Sequence, residues 1–147
     1  MHKVNILIAE DDKDDFQLLR EAIENVLPKF DITHSRDGKE FSQAIDNGLE
    51  PDLVFLDLNM PYKSGIECLV EFRRKEGLQQ TPVIIYSTSS HFEDIDKCYK
   101  SGCTLYMVKP TSFRDLVTQI KKVFFRIGLP KKELLDKEMF VVKKQEG

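Results

Sequence analysis

Residues 51–61 read PDLVFLDLNMP, and this stretch decides the fold. An apolar run, LVFL, lies between Asp52 and Asp57, and a short apolar run bounded by turn signals predicts a buried strand. Strands that are apolar throughout are typical of a parallel sheet with both faces covered. Pro61 favours an extended backbone at Met60, so the chain turns away just beyond the strand. The strand therefore ends on a carboxylate with a turn behind it.

The rest of the chain alternates apolar strands with amphipathic helices. After the first strand, Phe16, Leu19 and Ile23 fall on one face of a helix. The strand–helix alternation continues to the last strong helix, and right-handed crossovers then give a doubly wound α/β sandwich around a five-stranded parallel sheet. The predicted strands are Val4–Ala9, Phe30–His34, Asp52–Asp57, 83–87 and Leu105–Val108, each followed by a helix.

The bulk properties fit an ordinary globular chain and exclude several functions. The chain has 147 residues, 32% of them charged, and a formal net charge of -3. Such a surface has no general attraction for nucleic acid or anionic lipid, and no apolar run reaches the roughly 18 residues of a membrane span. Cys68, Cys98 and Cys103 lack metal-like spacing, so we expect reduced thiols and a cytoplasmic location.

One domain accounts for almost the whole chain. Residues 1–127 contain all the predicted strands and helices. Residues 128–147 form a tail rich in Lys and Glu, and this tail is too short to be a separate domain of ordinary size. We expect its apolar patch, Met139–Val142, to be loosely docked rather than to form a strand.

Polar and charged side chains stand where four of the predicted strands end. In an open α/β sheet these carboxyl ends meet at one edge, where ligands bind. We therefore expect the side chains to share one pocket. They are Glu10 and Asp11 after the first strand, Asp57 and Asn59 after the third, Ser87 at the end of the fourth, and Lys109 after the fifth.

Carboxylates gathered at one edge need a cation between them, or some of them must take up protons. At ~4 Å, two unit charges repel by about 4 kcal/mol at an effective dielectric constant of about 20. Oxygen ligands favour Mg²⁺, which leaves room for a phosphate, and Lys109 adds a second positive charge. A divalent cation, an ammonium and a hydroxyl suit a phosphoryl group held on a carboxylate. Asp57, at the end of a buried strand, is the candidate nucleophile.

Four stretches in this order resemble the receiver domains of two-component response regulators. They are ILIAEDD, LVFLDLNMPYKSG, PVIIYSTS and GCTLYMVKP, and the resemblance runs from about Val4 to Phe125. It implies a flavodoxin-like fold with five helices and the sheet order 2-1-3-4-5. It also implies a signalling switch that catalyses only its own aspartyl phosphorylation and dephosphorylation. The chain is similar in length to stand-alone receivers that partner bacterial phytochromes, and the run 87–89 resembles theirs.

The resemblance assigns the acidic residues to phosphorylation and to metal binding. Asp57 is the phosphoacceptor, and it binds Mg²⁺ directly together with Asp11. Glu10 is expected to act on the metal through water, and the backbone carbonyl of Asn59 is the remaining protein ligand.

The resemblance also assigns the residues that hold and sense the phosphoryl group. Lys109 pairs with its charge, and Ser87 donates a hydrogen bond to one of its oxygens. Tyr106 is the aromatic switch that turns inward when Ser87 is recruited. The bond between Lys109 and Pro110 is usually cis in this family.

A sensor histidine kinase or a phosphotransfer protein is the expected phosphoryl donor, and a change in the last two helices is expected to alter partner binding. These two helices and the tail are also a candidate homodimer surface, because Phe92, Tyr99 and the apolar tail patch lie there. The side chains of Asn59 and Ser89 are expected to flank the attacking water and to set the lifetime of the phosphoaspartate. The sequence does not indicate the downstream protein target.

Two other functions use a similar fold or site. A phosphatase of the haloacid dehalogenase type also has a strand-end Asp nucleophile and Mg²⁺, but it needs a second Asp two residues on, where this chain has Asn59. A flavin-binding domain needs a loop that cradles phosphate after the first strand, and EDDKDD would repel phosphate there.

Overall fold

The computed structural model describes residues 3–128 and 141–142. Strands and helices alternate along the chain, as the apolar runs predict. The strands are β1 (Val4–Ala9), β2 (Phe30–Ser35), β3 (Leu53–Leu56), β4 (Val83–Ser87), β5 (Leu105–Val108) and β6 (Val141–Val142). The helices are α1 (Lys13–Glu24), α2 (Gly38–Asp46), α3 (Gly65–Arg74), α4 (Phe92–Ser101) and α5 (Phe113–Ile127).

The strands form one parallel sheet in the order β2-β1-β3-β4-β5-β6. Across β1–β5 this is the predicted order 2-1-3-4-5, which is confirmed together with the doubly wound α/β class. Every residue of β3 and β4 is buried, because helices cover both faces of the sheet. Leu7 and Ala9 pack with α2, α3 and α4 on one face, whereas Ile6 and Ile8 pack with α1 and α5 on the other.

The sixth strand corrects the expectation of a loosely docked tail. Val141 pairs with Tyr106 and Val142 with Met107, so β6 continues the sheet beyond β5. Val142 is fully buried, and Arg126 of α5 donates a hydrogen bond to the carbonyl oxygen of Val141 at 3.1 Å. The outer edge of β5 would otherwise expose unpaired backbone groups, and β6 covers it. The rest of the apolar patch, Met139 and Phe140, lies outside the described residues.

Every helix from α1 to α5 begins at the carboxyl edge of the sheet, but α4 is anchored differently from the others. The side chains of Asp12, Asp37, Ser64 and Ser112 cap α1, α2, α3 and α5. His91 precedes α4 without a side-chain cap, and Cys98 is the one fully buried residue of α4. A helix with little buried surface moves at a lower free-energy cost than its neighbours. Within residues 3–128 and 141–142, no helix has the length and hydropathy to span a bilayer.

Candidate functional site

Three carboxylates converge at the carboxyl edge of the sheet. Glu10 follows β1 and Asp57 follows β3, and both are buried, whereas Asp11 is exposed. One oxygen from each of the three lies within 4.8 Å of the other two. The structure brings these three acids together, and their oxygens form the donor set that hard divalent cations prefer.

Backbone contacts fix the main chain at Asp57 and in the loop that follows it. The Asp57 amide donates to the carbonyl oxygen of Ala9 at 3.0 Å, and the Gly65 amide donates to that of Leu58 at 2.9 Å. A Cβ at Gly65 would lie 2.2 Å from the Asp57 carbonyl oxygen, so the loop can fold back this tightly only with glycine there. The amide of Asn59 is 3.4 Å from Asp57 Oδ1.

Lys109 closes the pocket from the β5 side. Its Nζ atom lies 2.8 Å from Glu10 Oε1, 2.8 Å from Asp15 Oδ2 and 4.0 Å from Asp57 Oδ2. It also lies 4.9 Å from the centre of the Tyr86 ring, within range of a cation–π contact. No peptide bond in the described residues is cis, so the expected cis bond before Pro110 is wrong for this structure.

Burial sets the electrostatics of the pocket. It raises the pKa of Glu10 from 4.5 to about 7, against the opposing effect of the hydrogen bond from Lys109. Burial likewise raises the pKa of Asp57, although the charge of Lys109 acts against it. For Lys109, burial lowers the pKa, but the hydrogen bonds to Asp15 and Glu10 outweigh burial and raise it. Burial therefore favours the neutral form of both acids, and a bound cation would favour their ionised form instead.

The hydroxyl groups on the β4 side form a connected network. Ser87 is fully buried, and its Oγ accepts a hydrogen bond from the Ser89 amide at 3.1 Å. Tyr106 is also fully buried, and its hydroxyl donates to the carbonyl oxygen of Ser89 at 2.8 Å. The Ser89 hydroxyl donates to Asp94 of α4 at 2.5 Å. Ser89 thus connects the loop between β4 and α4 to β5 through its carbonyl oxygen and to α4 through its hydroxyl.

Sequence reasoning missed two residues that contact this site. His34 lies 2.8 Å from the carbonyl oxygen of Glu10 and stacks on Phe16. Asp15 binds Lys109 across 94 positions of sequence. Its place in the acidic start of α1 gives no signal that distinguishes it from the neighbouring Asp14.

Comparison with known families decides the assignment. The model of the response regulator receiver domain matches residues 6–121. This chain belongs to the response regulator receiver family. Receivers are signalling proteins rather than enzymes in the ordinary sense, and phosphorylation and Mg²⁺ binding are general to them.

Relatives of this receiver include two proteins that it covers for most of their length. Response regulator Rcp1 of Synechocystis sp. is 30% identical over 124 residues, which are 80% of this chain and 84% of Rcp1. The probable methanogenesis regulatory protein FilR2 of Methanothrix harundinacea is 31% identical over 123 residues, 80% of this chain and 79% of FilR2.

Solved structures of phytochrome response regulators resemble this receiver. The phosphorylated cyanobacterial phytochrome response regulator RcpA has a TM-score of 0.76 and 31% identity, covering 83% of this chain and 91% of its own. The Mn²⁺-bound form of Rcp1 has a TM-score of 0.71 and 29% identity, covering 82% and 91%. The predicted similarity to this group is confirmed. Receivers bind Mg²⁺ or Mn²⁺ at an acidic pocket, and this receiver has such a cluster.

Proposed function

We propose that this receiver accepts a phosphoryl group on Asp57 from a sensor histidine kinase or a phosphotransfer protein. One observation carries the proposal: the buried carboxylate of Asp57 lies beside two other carboxylates and an ammonium. Its oxygen lies within 4.8 Å of oxygens of Glu10 and Asp11, and Lys109 Nζ is 4.0 Å away. The ammonium, together with a cation held by the carboxylates, would neutralise the negative charge of a phosphoryl group on Asp57.

Mg²⁺ is the proposed cofactor, and the donor chemistry of the pocket fits it. Asp11 and Asp57 would bind it directly, Glu10 would act through water, and the carbonyl oxygen of Asn59 would complete the protein ligands. All of these donors are oxygens, which Mg²⁺ prefers over nitrogen or sulfur. When bound, the ion would neutralise negative charge on the phosphoryl oxygens.

The remaining polar groups hold the phosphoryl group once it is in place. Lys109 pairs with one oxygen, and the buried hydroxyl of Ser87 donates to another. In these roles the receiver catalyses its own phosphorylation and dephosphorylation by orienting the reacting groups. The side chains of Asn59 and Ser89 flank the path of the attacking water and set the lifetime of the phosphoaspartate. Replacing both without a change in decay rate would refute that role.

Ser87 and Tyr106 form the proposed switch. The hydrogen bond from Tyr106 to the Ser89 carbonyl oxygen supports it, because the same loop contacts Ser87 and leads into α4. A movement of Ser87 towards the phosphoryl group would therefore shift Ser89, and with it Tyr106 and α4. Helix α4 can follow because it buries little surface. The faces of α4 and α5 then change, and so does their affinity for a partner.

The faces of α4 and α5, with the tail, are also the proposed homodimer surface. Phe92 of α4 is 68% exposed and Phe125 of α5 is 71% exposed, and large apolar side chains of this kind favour burial in an interface. Sedimentation with and without a phosphoryl mimic tests this part. A monomer in both conditions, at concentrations up to the millimolar range, would exclude it.

The receiver domain is proposed to extend over residues 1–127, with 128–147 as a tail that adds no separate domain. The described part of the tail, β6, supports this, because it joins the sheet of the receiver itself. A cytoplasmic location is proposed as well. It is supported by Cys68, Cys98 and Cys103, which are buried free thiols of the kind that persists in a reducing compartment.

Intact-mass measurement tests the proposed function. The protein is incubated with Mg²⁺ and acetyl phosphate, and we expect a gain equal to one phosphoryl group. Asp57→Asn should abolish the gain, whereas Asp31→Asn, near the opposite end of the sheet on β2, should leave it unchanged. A wild-type protein that gains no mass, or an equal gain in Asp57→Asn, would overturn the proposal.

A further inference from the structure

The ammonium of Lys109 is bound more closely to a helix residue outside the acidic pocket than to Asp57. Asp15 Oδ2 on α1 lies 2.8 Å from Nζ, and Asp57 Oδ2 lies 4.0 Å from it. We propose that Asp15 is a positioning residue: it holds Lys109 before phosphorylation and competes with the phosphoryl group for the same ammonium. This inference rests on the proposed phosphorylation of Asp57.

Lys109 already uses most of its hydrogen-bond capacity. A lysine ammonium has three donors, and two of them are taken by Glu10 and Asp15 at 2.8 Å. The distance to Asp57 exceeds that of a hydrogen bond, so this carboxylate has only an ion-pair contact. The ring of Tyr86 lies 4.9 Å from the ammonium and occupies part of its surroundings. One donor remains for a phosphoryl group on Asp57, but movement of Nζ towards that group lengthens its bonds to Glu10 and Asp15.

Exposure decides which bond is given up. The side chain of Glu10 is 1% exposed and that of Asp15 is 36% exposed. A buried carboxylate that loses its partner is left without solvation, which is unfavourable. The carboxylate of Asp15 can instead return to water. The exchange therefore takes place between Asp15 and the phosphoryl group, while the bond to Glu10 persists.

The start of α1 keeps Asp15 within reach of Lys109. Asp15 lies in the first turn of α1, and its backbone amide donates to the side chain of Asp12 at 2.9 Å. The cap fixes the first turn, and this holds the Asp15 carboxylate close to Lys109 after β5. Asp14 lies in the same turn and is exposed, and it is not among the contacts of Lys109. Asp14 therefore provides a control of equal charge.

The test compares Asp15→Asn with Asp14→Asn. Beryllofluoride, which mimics a phosphoryl group on a carboxylate, is titrated at saturating Mg²⁺. Removing the competitor should tighten beryllofluoride binding by about two- to fivefold in Asp15→Asn, the range expected for a partly exposed ion pair. Asp14→Asn should match the wild type, because it removes the same charge without freeing Lys109. Asp15→Ala serves as a second variant with the same expectation.

A second measurement observes the Lys109 ammonium directly by NMR. The ¹⁵N signal of Lys109 Nζ, assigned by its loss in Lys109→Arg, should shift on adding beryllofluoride to the wild type. It should also shift in Asp15→Asn without beryllofluoride, and it should stay in place in Asp14→Asn. A purely structural role for Asp15 would alter thermal stability without moving this signal.

The experiment separates failure of the proposed function from failure of the proposed role of Asp15. A wild-type protein that binds no beryllofluoride with Mg²⁺ present would overturn the proposed function. Normal binding by the wild type, with equal affinity and an unmoved Lys109 signal in Asp15→Asn, would overturn only the role of Asp15.

Discussion

Tyr106 and Ser89 are joined by a hydrogen bond of 2.8 Å from the tyrosine hydroxyl to the serine carbonyl oxygen. This bond connects β5 to the loop that precedes α4. The same loop contacts Ser87 through the Ser89 amide and Asp94 through the Ser89 hydroxyl. Ser89 thus connects the end of β4, the side chain of Tyr106 in β5 and the start of α4.

Tyr106→Phe should loosen this junction. The variant keeps the buried ring but leaves the Ser89 carbonyl oxygen without its donor, which should lower the free energy of unfolding by about 1 kcal/mol. Amide hydrogen exchange should increase at the start of α4. Tyr62→Phe removes a hydroxyl from a tyrosine that is 85% exposed and should change neither quantity. Unchanged exchange in α4 of Tyr106→Phe would contradict the proposed link.

The stability of the metal-free protein should fall as the pH rises from about 4.5 to about 7. Burial raises the pKa of Glu10 from 4.5 to about 7, so the folded state binds a proton that the unfolded state has lost in this range. The resulting stabilisation is complete below the unfolded pKa and disappears as the pH passes the folded one. Burial raises the pKa of Asp57 as well, which acts in the same direction.

Urea unfolding in the presence of a chelator, between pH 5 and 8, measures this slope. Glu10→Gln should flatten it, because the amide does not titrate. Lys109 does not contribute in this range, because its pKa is raised above an already high value. Stability that rises from pH 5 to 7 in the wild type would be the opposite of what burial of these acids requires.

Gly38→Ala should disturb the loop between β3 and α3. A Cβ at residue 38 would lie 2.3 Å from the carbonyl oxygen of Lys63, so the loop that carries Asn59 and Lys63 must shift. We expect a loss of about 1–3 kcal/mol in the free energy of unfolding and weaker Mg²⁺ binding. Gly128→Ala meets its nearest neighbour only at 3.5 Å and serves as the control. Wild-type Mg²⁺ affinity in Gly38→Ala would show that this contact does not position the metal ligands.

Val142→Ala should destabilise the receiver although it lies far along the chain from the pocket. Val142 is fully buried against β5 and α5, and the loss of its methyl groups should lower the free energy of unfolding by about 1–3 kcal/mol. Val141→Ala, at a half-buried position, should have a smaller effect. If both variants unfold like the wild type, β6 does not contribute to the fold in solution.

The sequence predicted the strand ends and the residues that follow them because long apolar runs leave few alternatives. LVFL and VIIYS could be read only as buried strands, and the sheet edge then brought together Asp57, Ser87 and their neighbours. The sixth strand could not be predicted in this way. Two residues, Val141 and Val142, are too few to show the alternation of a strand. The sheet edge with which they pair forms only when β5 has folded.

Asp15 and Tyr106 show the same limit at the site. Asp15 belongs to an acidic helix start and is indistinguishable from a solvated surface charge until Lys109 is placed beside it. Tyr106 lies in an apolar run, so the sequence indicates burial but not the partner of its hydroxyl. Contacts between residues far apart in sequence depend on the fold, and local patterns do not contain them.

The most direct test of the central claim locates the phosphoryl group by chemistry. The protein is incubated with acetyl phosphate in Mg²⁺ or in chelator, reduced with borohydride, digested and analysed by peptide mass. We predict conversion of the Asp57 side chain to an alcohol in Mg²⁺ and no conversion in chelator. Conversion at another carboxylate, equal conversion in chelator, or no conversion at all would contradict the account.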